Sequence, residues 1–334
     1  MIPAISLDSY QRARRGAAAV DRSDRGRIVV SGADRAAYLH GLLTNDIAAL
    51  PPGGGCYAAY LTPQGRMIAD LFLYELGDVL LVTMERAVKD DVLARLDQFI
   101  FSEDVQLGDV TDTFAQVAIV GPDAAEVVGR LVEGVTASAL AALPEHGNTR
   151  AVFDGQPAIV TRVTDTGELG FDVFVDRASA DAFSRALSAQ DIVVLDVETA
   201  DALRIEAGVP RFLRDMDGET IPLEAGIEDR AISLTKGCYV GQEVIIRVLH
   251  RGHGRVARKL VGLILDGGDV PPAETAIVAQ DREVGRVTSS TLSPALGKPI
   301  ALGYVHRDFV TPGTEVSIGG VRAVVSKPPF SRQV

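Results

Sequence analysis

The stretch LTKGCYVGQE (residues 234–243) carries one of only two cysteines in this 334-residue chain. Cys238 follows Lys236 by two residues, and the run YVGQEVIIRVL, which begins beside it, repeats valine at every fourth position. A thiol near a helix N-terminus and a cation tends toward the thiolate, which is its reactive form. The pattern favours a helix and makes a functional thiol a candidate. The alternatives are a small buried hydrophobic side chain and, for EVIIRVL, a strand.

Toward the N-terminus, short apolar runs alternate with helical patterns. Residues 55–84 read as three strands separated by turns at 63–65 and 77–78. Further strands are predicted at 27–32, 114–121, 157–163 and 170–176, and helices at 33–50, 86–100, 122–132, 178–189 and 197–208. Such a mixture predicts an α+β protein.

An internal echo links two parts of this α+β region. VSGADRAA (30–37) and IVGPDAAE (119–126) both read as a strand, a glycine, one residue, an aspartate and then a helix. We interpret the echo as two related units, formed approximately by residues 1–50 with 145–254 and by residues 51–144. The alternative is that strand-to-helix turns often have this composition.

The character of the sequence changes after residue 255. Short strands alternate there with glycine and proline turns, as in KLVGLIL, REVGRVTSS, IALGYVH and TEVSIGGVRAVVS. This spacing predicts a compact all-β domain over residues 255–334. Residues 1–254 are then the α+β core.

Composition restricts the classes of function. The chain is 47% hydrophobic and 23% charged, so it can bury a normal core. It has no apolar run long enough to cross a membrane and no apolar stretch of signal-peptide length at its start, so we expect a cytoplasmic protein. The formal net charge of −12 argues against general nucleic-acid binding. Two cysteines do not make a disulfide scaffold.

A local basic run stands out in this acidic chain. IIRVLHRGHGRVARKL (245–260) contains Arg247, Arg251, Arg255, Arg258 and Lys259. Five fixed positive charges could attract an anionic ligand, although a solvated linker is an equal alternative. The H-x-x-H spacing in this run, with a cysteine upstream, does not suit a closed zinc site and lacks a fourth ligand, so no metal is predicted.

Several charged residues lie in apolar surroundings. Asp70 and Asp172 fall within strands, where a buried carboxyl needs a partner or a raised pKa. Arg204, Glu206 and Glu224 belong to the similar strings LRIEAG and PLEAG and could form structural salt bridges. Together, such residues would suit a pocket that binds a planar, nitrogen-rich ligand.

Three common nucleotide and hydrolase motifs are missing. The sequence has no G-x-G-x-x-G after a strand, no Walker-type loop and no G-x-S-x-G. A Rossmann dehydrogenase, a P-loop NTPase and an α/β-hydrolase are therefore not expected.

The string KGCYVGQE (236–243) resembles the signature of the YgfZ-type folate-binding proteins, a branch of the glycine-cleavage T-protein (aminomethyltransferase) superfamily. Four other segments resemble that superfamily in the expected order and extend the similarity over nearly the whole chain: DRSDRGRIVVSGADRAAYLHGLLTNDIAAL, LRIEAGVPRF, IPLEAGI and GRVTSSTLSPALGKPIALGYV. The resemblance implies a three-domain cloverleaf around a central tetrahydrofolate pocket, with a small C-terminal β-barrel.

The resemblance also implies a function. It points to a tetrahydrofolate-binding protein that acts in the assembly or maintenance of iron–sulfur enzymes, which would be its client partners. Cys238 and Lys236 are then the predicted catalytic pair, and Tyr239 and Gln242 are predicted to bind the cofactor with the residues of the charged pocket. Folates commonly carry a chain of glutamates, so the basic run gains a role. Its arginines, Arg247 and Arg251 above all, are expected to contact that tail.

Two departures from the family pattern bear on the reaction. The resemblance pairs two adjacent acids of the aminomethyltransferases with Ala69-Asp70, and their pterin-holding glutamate with Asp172, one methylene shorter. Loss of one acid removes a group that could activate a folate nitrogen. The hypothesis of iron–sulfur enzyme maintenance is therefore preferred to that of aminomethyl transfer. A folate-dependent one-carbon transferase is the alternative. A scaffold or nucleic-acid adaptor that uses only the basic run is a third hypothesis.

Overall fold

The computed structural model of this protein describes residues 5–250 and 254–330. Within these residues the chain forms two five-stranded antiparallel sheets and a closed six-stranded barrel. The barrel lies at the C-terminal end and the helices pack on the sheets. The predicted α+β class and the C-terminal β-barrel are confirmed.

The strands of the described residues follow one another in this order. They are β1 (Ala18–Asp21), β2 (Gly26–Ser31), β3 (Gly55–Leu61), β4 (Met67–Glu75), β5 (Leu80–Met84), β6 (Gln106–Asp109), β7 (Phe114–Val120), β8 (Asn148–Phe153), β9 (Gln156–Val163), β10 (Gly170–Asp176), β11 (Arg258–Leu265), β12 (Ala276–Ala279), β13 (Arg282–Ser293), β14 (Lys298–His306), β15 (Glu315–Ile318) and β16 (Val321–Ser326).

The helices of the same residues are short. They are α1 (Leu7–Arg15), α2 (Arg35–Leu42), α3 (Arg86–Asp97), α4 (Ala124–Leu131), α5 (Ala137–Ala142), α6 (Ala180–Ala189), α7 (Val197–Ala207), α8 (Pro222–Ala225), α9 (Glu228–Ala231) and α10 (Gln242–His250). A membrane-spanning helix needs about 20 apolar residues. No helix in the described part of the chain is long and apolar enough to cross a membrane.

The first sheet has the strand order β1-β7-β10-β9-β8. Its core face is covered by α4 and α6, and the buried side chains between them include Ile119, Val128, Phe171 and Phe183. Strand β10 is buried along nearly its whole length because it lies at the centre of the sheet. The predicted strands at 114–121, 157–163 and 170–176 and the helix at 178–189 are confirmed.

The second sheet has the strand order β3-β4-β5-β2-β6. Helices α2 and α3 cover one face, where Leu39, Val92 and Leu96 pack against Leu71 and Leu73 of β4. The opposite face of β3 and β4 faces the segment that leads into α10. The three strands predicted between residues 55 and 84 are confirmed.

Helix α2 is shorter than its apolar spacing predicts. The predicted helix over 33–50 ends at Leu42, because the next residue, Leu43, pairs with Tyr60 of β3. Beyond it, the Asn45 side chain donates hydrogen bonds to the carbonyl oxygens of Tyr57, at 2.8 Å, and Arg230, at 3.1 Å. The turn at residues 43–46 therefore joins β3 to α9 instead of continuing the helix.

The helix predicted after the cysteine motif is confirmed as α10. It follows Gly241, whose φ of +84° lies in the left-handed region that favours glycine. A Cβ atom at this position would come within 2.5 Å of the Thr62 carbonyl oxygen. The motif glycine is thus required by a close approach between α10 and the turn that joins β3 to β4.

The strands divide between the two sheets differently from the two predicted units. Strand β2, expected to group with residues 145–254, pairs with β5 and β6. Strand β7, expected within residues 51–144, pairs with β1 and β10. The chain crosses from the first sheet to the second after Asp21 and returns after Asp109. Neither crossing coincides with the two similar segments, 30–37 and 119–126, that suggested the units.

The barrel is attached to the rest of the protein through buried charges on α7. Glu206 is fully buried and accepts hydrogen bonds from the hydroxyl of Tyr10, at 2.6 Å, the guanidinium of Arg14 and the hydroxyl of Ser293. These partners belong to α1 and β13. One carboxylate therefore joins the N-terminal helix, α7 and the barrel.

We expect Glu206→Ala to lower the free energy of unfolding by about 3 kcal/mol, because it leaves the Tyr10 and Ser293 hydroxyls without their buried acceptor and leaves Arg14 with Glu168 as its remaining carboxylate partner. Ser293→Ala is the matched control, which removes one neutral donor from the same carboxylate and should cost about 1 kcal/mol. Urea denaturation measures both. Equal losses for the two variants would contradict a central role for the carboxylate.

Candidate functional site

A cavity of about 310 Å³ lies between the two sheets and α7. Its walls come from the β1–β2 connection, β4, the β9–β10 connection, α7 and the segment that follows α7. Its polar and charged lining residues are Asp21, Arg22, Asp24, Arg25, Asp70, Glu85, Asp165, Thr166, Asp201, Arg204 and Arg211. This volume is at the lower end of the range of small-molecule sites.

Strand alternation on β4 places one carboxyl in this cavity. Successive side chains of a strand point to opposite faces. Ala69 and Leu71 belong to the core beneath α2 and α3, whereas Asp70 and Phe72 line the cavity. The strand thus contributes a carboxyl and an aromatic ring, side by side, to the same wall.

The Asp70 carboxyl is buried and half satisfied. Its side chain belongs to a residue that is 5% exposed. Oδ2 accepts a hydrogen bond of 3.0 Å from the Tyr57 hydroxyl, while Oδ1 has no hydrogen-bond partner. Burial raises the pKa of Asp70, although the Arg25 charge and the Tyr57 hydroxyl act in the opposite direction. The free oxygen can therefore hold or release a proton toward a ligand.

The Phe72 ring forms an apolar surface next to this carboxyl. The Tyr57 ring lies 4.9 Å from it, centroid to centroid, and the Arg25 guanidinium lies 5.4 Å from its centroid. Aromatic faces and guanidinium planes both stack on flat rings. The wall is suited to a planar heterocycle.

Four arginines line the cavity, together with six carboxyl groups. Arg22 pairs with Asp165 at 2.7 Å, and Arg211 donates two hydrogen bonds to Glu85, at 2.9 and 3.0 Å. Burial alone would raise the pKa of Asp165, but the Arg22 charge outweighs it and holds that pKa below its usual value. These acids are ionised and keep the arginines in place.

Two of the predicted cofactor-binding residues line the cavity, Asp70 and Arg204. Arg204 is also committed to the protein itself, because its guanidinium donates to Asp215 at 2.7 Å and to Ser289 of β13 at 3.0 Å. Its side chain therefore joins the cavity wall to the barrel.

Asp172, the third predicted cofactor ligand, lines a second, narrow pocket of about 10 Å³, which shares four lining residues with the cavity. Its carboxylate accepts hydrogen bonds from Gln116, at 2.8 Å, and Arg22, at 3.2 Å. Burial raises the pKa of Asp172 despite the nearby Arg22. Glu206, the fourth, is not among the residues that line either cavity, because it is enclosed between α1, α7 and the barrel. Its binding role stays a prediction that its position does not support.

The cysteine motif lies apart from the cavity. The Lys236 ammonium donates hydrogen bonds to the carbonyl oxygens of His40, Leu43, at 2.6 Å, and Asn45, at 2.9 Å. Burial lowers the pKa of Lys236 to about 8. An ammonium group has three donors, and all three are used here to hold the motif against the end of α2. The thiol of Cys238 is free and its residue is exposed.

The remaining motif residues also lie outside the cavity. Tyr239 is buried under the Lys236 ammonium, 5.0 Å from its ring centroid, and burial raises its pKa to about 12. Gln242 is the first residue of α10, and Arg247 is exposed on the same helix. Arg251 lies outside the described residues. The catalytic and binding roles of these residues stay predictions.

Several residues of the cavity were not predicted. Arg22 and Arg25 come from DRSDRGR (21–27). Glu85 lies between β5 and α3, and Arg211 lies in the segment that follows α7. The dense alternation of charges at the start of β2 was a usable signal. In the described residues, no group of three or more His, Cys, Asp or Glu side chains is arranged to hold a metal ion.

Comparison with known proteins identifies the class to which this architecture belongs. The profile described as GCVT N-terminal domain matches residues 4–236, and that described as glycine cleavage T-protein C-terminal barrel domain matches residues 258–331. Because these matches cover most of the chain, the protein belongs to the glycine cleavage T-protein family. The resemblance inferred from the cysteine motif is confirmed at this level.

Individual proteins similar to this chain are consistent with this family assignment. The chain is 32% identical to an aminomethyltransferase of Rubrobacter xylanophilus, over 97% of this chain and 83% of that protein. It is also 32% identical to an aminomethyltransferase of Moorella thermoacetica, over 98% and 90%. The crystal structure of the glycine cleavage system aminomethyltransferase T from Bartonella henselae has the same fold, with a TM-score of 0.88 at 24% identity over 98% of this chain and 90% of that chain. Assignment to the YgfZ-type branch stays a prediction.

We expect Asp70→Asn to be more stable than the wild-type protein at pH 7. Burial raises the pKa of Asp70 in the folded protein above its ordinary value of 3.8. The wild-type protein is therefore most stable when Asp70 is protonated, and it loses this part of its free energy of unfolding as the pH rises through the folded-state pKa. The asparagine carries no charge, so its advantage should shrink as the pH falls toward 3.8. Urea denaturation at pH 7 and pH 4.5 measures this change.

The matched control is Asp24→Asn, at an exposed carboxyl of the same cavity. It should change the free energy of unfolding at pH 7 by less than about 0.5 kcal/mol, because an exposed carboxyl is already solvated. If the wild-type protein is more stable at pH 7 than Asp70→Asn, the raised pKa of Asp70 is contradicted.

Proposed function

We propose that this protein is a tetrahydrofolate-dependent one-carbon transferase of the aminomethyltransferase type, with the pterin end of the folate in the central cavity. The observation that carries the proposal is the Asp70 carboxyl, buried in the cavity wall with one oxygen free of partners. The named relatives support the same class of reaction, since they are aminomethyltransferases.

The residues present fit a folate. A pterin is planar and carries several N–H groups, and the cavity offers the Phe72 ring as a flat surface and Asp70 Oδ1 as an acceptor. The benzoylglutamate part ends in carboxylates, and Arg204 and Arg211 offer it fixed positive charges on the wall formed by α7 and the segment that follows it. Contact between further glutamates and Arg247 is retained as a prediction.

Strand alternation answers the objection raised by the missing acid. The residue that lacks a carboxyl, Ala69, is fully buried in the core beneath α2 and α3. The acid that is retained, Asp70, is the one that lines the cavity. The departure from the family pattern therefore leaves the cavity carboxyl in place, and it supports transfer chemistry more than the sequence alone suggested.

The chain can supply general acid–base catalysis at this site. A carboxyl whose pKa is raised by burial exchanges its proton nearer to neutral pH than an exposed one. The Tyr57 hydroxyl fixes Oδ2 and leaves Oδ1 to give or take the proton at a nitrogen of the bound folate. When bound, the folate supplies the nitrogen that carries the one-carbon unit.

We expect Asp70→Asn to bind tetrahydrofolate with an affinity close to that of the wild-type protein, but to transfer one-carbon units at least about 100-fold more slowly. Calorimetric titration measures the first quantity, and tetrahydrofolate-dependent release of the unit from amine donors measures the second. The exposed Asp24→Asn variant is the control for both. Transfer by Asp70→Asn at the wild-type rate would overturn the acid–base role, and no heat of binding to the wild type would overturn the folate site.

A second function, iron–sulfur enzyme upkeep, is favoured by a separate observation. The Cys238 thiol is exposed and lies in a loop held by Lys236, outside the cavity. A thiol that took part in transfer would be expected to line the cavity. Its place on the surface instead suits contact with another protein, such as an iron–sulfur client.

For this second function we expect Cys238→Ser to fold and bind tetrahydrofolate normally, yet to fail to restore iron–sulfur enzyme activity in cells that lack the protein. Cys56→Ser is the comparison variant, because that cysteine is buried and burial raises its pKa to about 12. If Cys238→Ser fully restores iron–sulfur enzyme activity, the thiol has no role in this function.

A further inference from the structure

A narrow pocket extends the site beyond the central cavity. It has a volume of about 10 Å³ and shares Arg22, Arg25, Phe72 and Asp165 with the wider cavity. That volume corresponds to about one water-sized group. The narrow pocket is thus the closed end of the site, able to take one exocyclic atom of a ligand whose ring lies against Phe72.

His146 is a buried, unpartnered polar side chain at this closed end. It is 7% exposed, and its Nδ1 has no hydrogen-bond partner. Its ring lies 5.6 Å from the Phe72 ring, centroid to centroid. Buried polar atoms in proteins are nearly always hydrogen-bonded, so an orphaned nitrogen beside a ligand cavity points to a bound group.

The backbone holds His146 in an unusual conformation. Its φ of +62° lies in the left-handed region, which non-glycine residues seldom adopt. Its N–H donates to the Arg162 carbonyl oxygen at 3.2 Å, and its own carbonyl oxygen would lie 2.3 Å from a Cβ atom built on Gly55. Contacts with both sheets therefore fix where this imidazole sits.

The imidazole lines the pocket and has one nitrogen free to accept a hydrogen bond. Burial lowers the pKa of His146 to about 4, although the neighbouring Glu145 raises it, so the ring is neutral near pH 7. Nε2 lies 3.6 Å from the Glu145 carboxylate, which favours the tautomer with its proton on Nε2. Nδ1 then keeps a free lone pair. Asp165 and Asp172 add carboxylates to the same pocket.

We propose that His146 is a specificity residue of this site, whose Nδ1 accepts a hydrogen bond from the exocyclic amino group of the bound pterin. This inference rests on the proposed function and deepens it, because it assigns the donor-rich edge of the pterin to the closed end of the cavity. A closed end lined by acceptors discriminates against rings that lack an N–H donor there, since the buried acceptors would stay unpaired.

The test is calorimetric titration with two compounds, tetrahydrofolate and its analogue without the 2-amino group. His146→Phe keeps a ring against Phe72 and removes the acceptor. We expect it to bind tetrahydrofolate about tenfold more weakly than the wild-type protein. It should bind the deamino analogue as the wild type does, because that analogue has no N–H for Nδ1 to accept.

The matched variant is His146→Asn, whose Oδ1 occupies the position of Nδ1 and whose backbone tolerates a positive φ. It should recover most of the affinity for tetrahydrofolate, and thermal unfolding checks that both variants fold. Equal weakening for the two compounds, or none in His146→Phe, would overturn the role of His146 alone. Absence of tetrahydrofolate binding by the wild-type protein would instead overturn the proposed function, and this inference with it.

Discussion

The structure depends on the pairing of charges that are buried where its three packed parts meet. Glu206 ties the N-terminal helix and the barrel to α7. Arg204, on the same helix, bonds Asp215 and the barrel residue Ser289. Breaking one partner of such a pair leaves an uncompensated charge, which is costly in a water-excluded region. These pairs hold α7 against α1 and the barrel, and α7 in turn forms one wall of the central cavity, to which it contributes Arg204.

Against this background, one carboxyl of the cavity differs from the others. Asp165 and Glu85 are paired with arginines and stay ionised. Asp70 has only a tyrosine hydroxyl on one oxygen, and burial raises its pKa. Structural acids in this protein are neutralised by a cation, whereas Asp70 keeps an oxygen free at a cost in stability. That combination is typical of a group retained for function.

The cysteine motif has a structural reason that is separate from its thiol. Lys236 uses all three of its donors on backbone carbonyls at the end of α2, and Gly241 allows α10 to approach the β3–β4 turn. The lysine therefore anchors the motif to the end of α2, and its catalytic role with Cys238 stays a prediction. The motif places Cys238 on the surface, and Cys238 is not among the residues that line the central cavity.

Much of the fold could be predicted from the sequence, because periodicity reports which side chains are buried. The strands of residues 55–84, the helix after the cysteine motif and the all-β character of the C-terminal domain followed from local patterns, whereas the closure of that domain into a barrel was implied by the family resemblance. The end of α2 at Leu42 did not, because the hydrogen bonds of Asn45 reach residues 57 and 230. The division of the strands between the two sheets could not be read from local patterns either, since pairing partners lie far apart in the sequence.

For the site, the sequence by itself determined the chemical types available: a carboxyl in an apolar strand, a cluster of arginines and a solitary thiol. Only the tertiary structure decided which of them meet. Strand alternation sends Ala69 to the core and Asp70 to the cavity, but which face of β4 is the cavity depends on what packs against it. Likewise, only long-range contacts seat His146 behind Phe72 and keep Glu206 and Cys238 away. Residue identity is local, whereas the environment that sets a pKa or a free lone pair is made by distant parts of the chain.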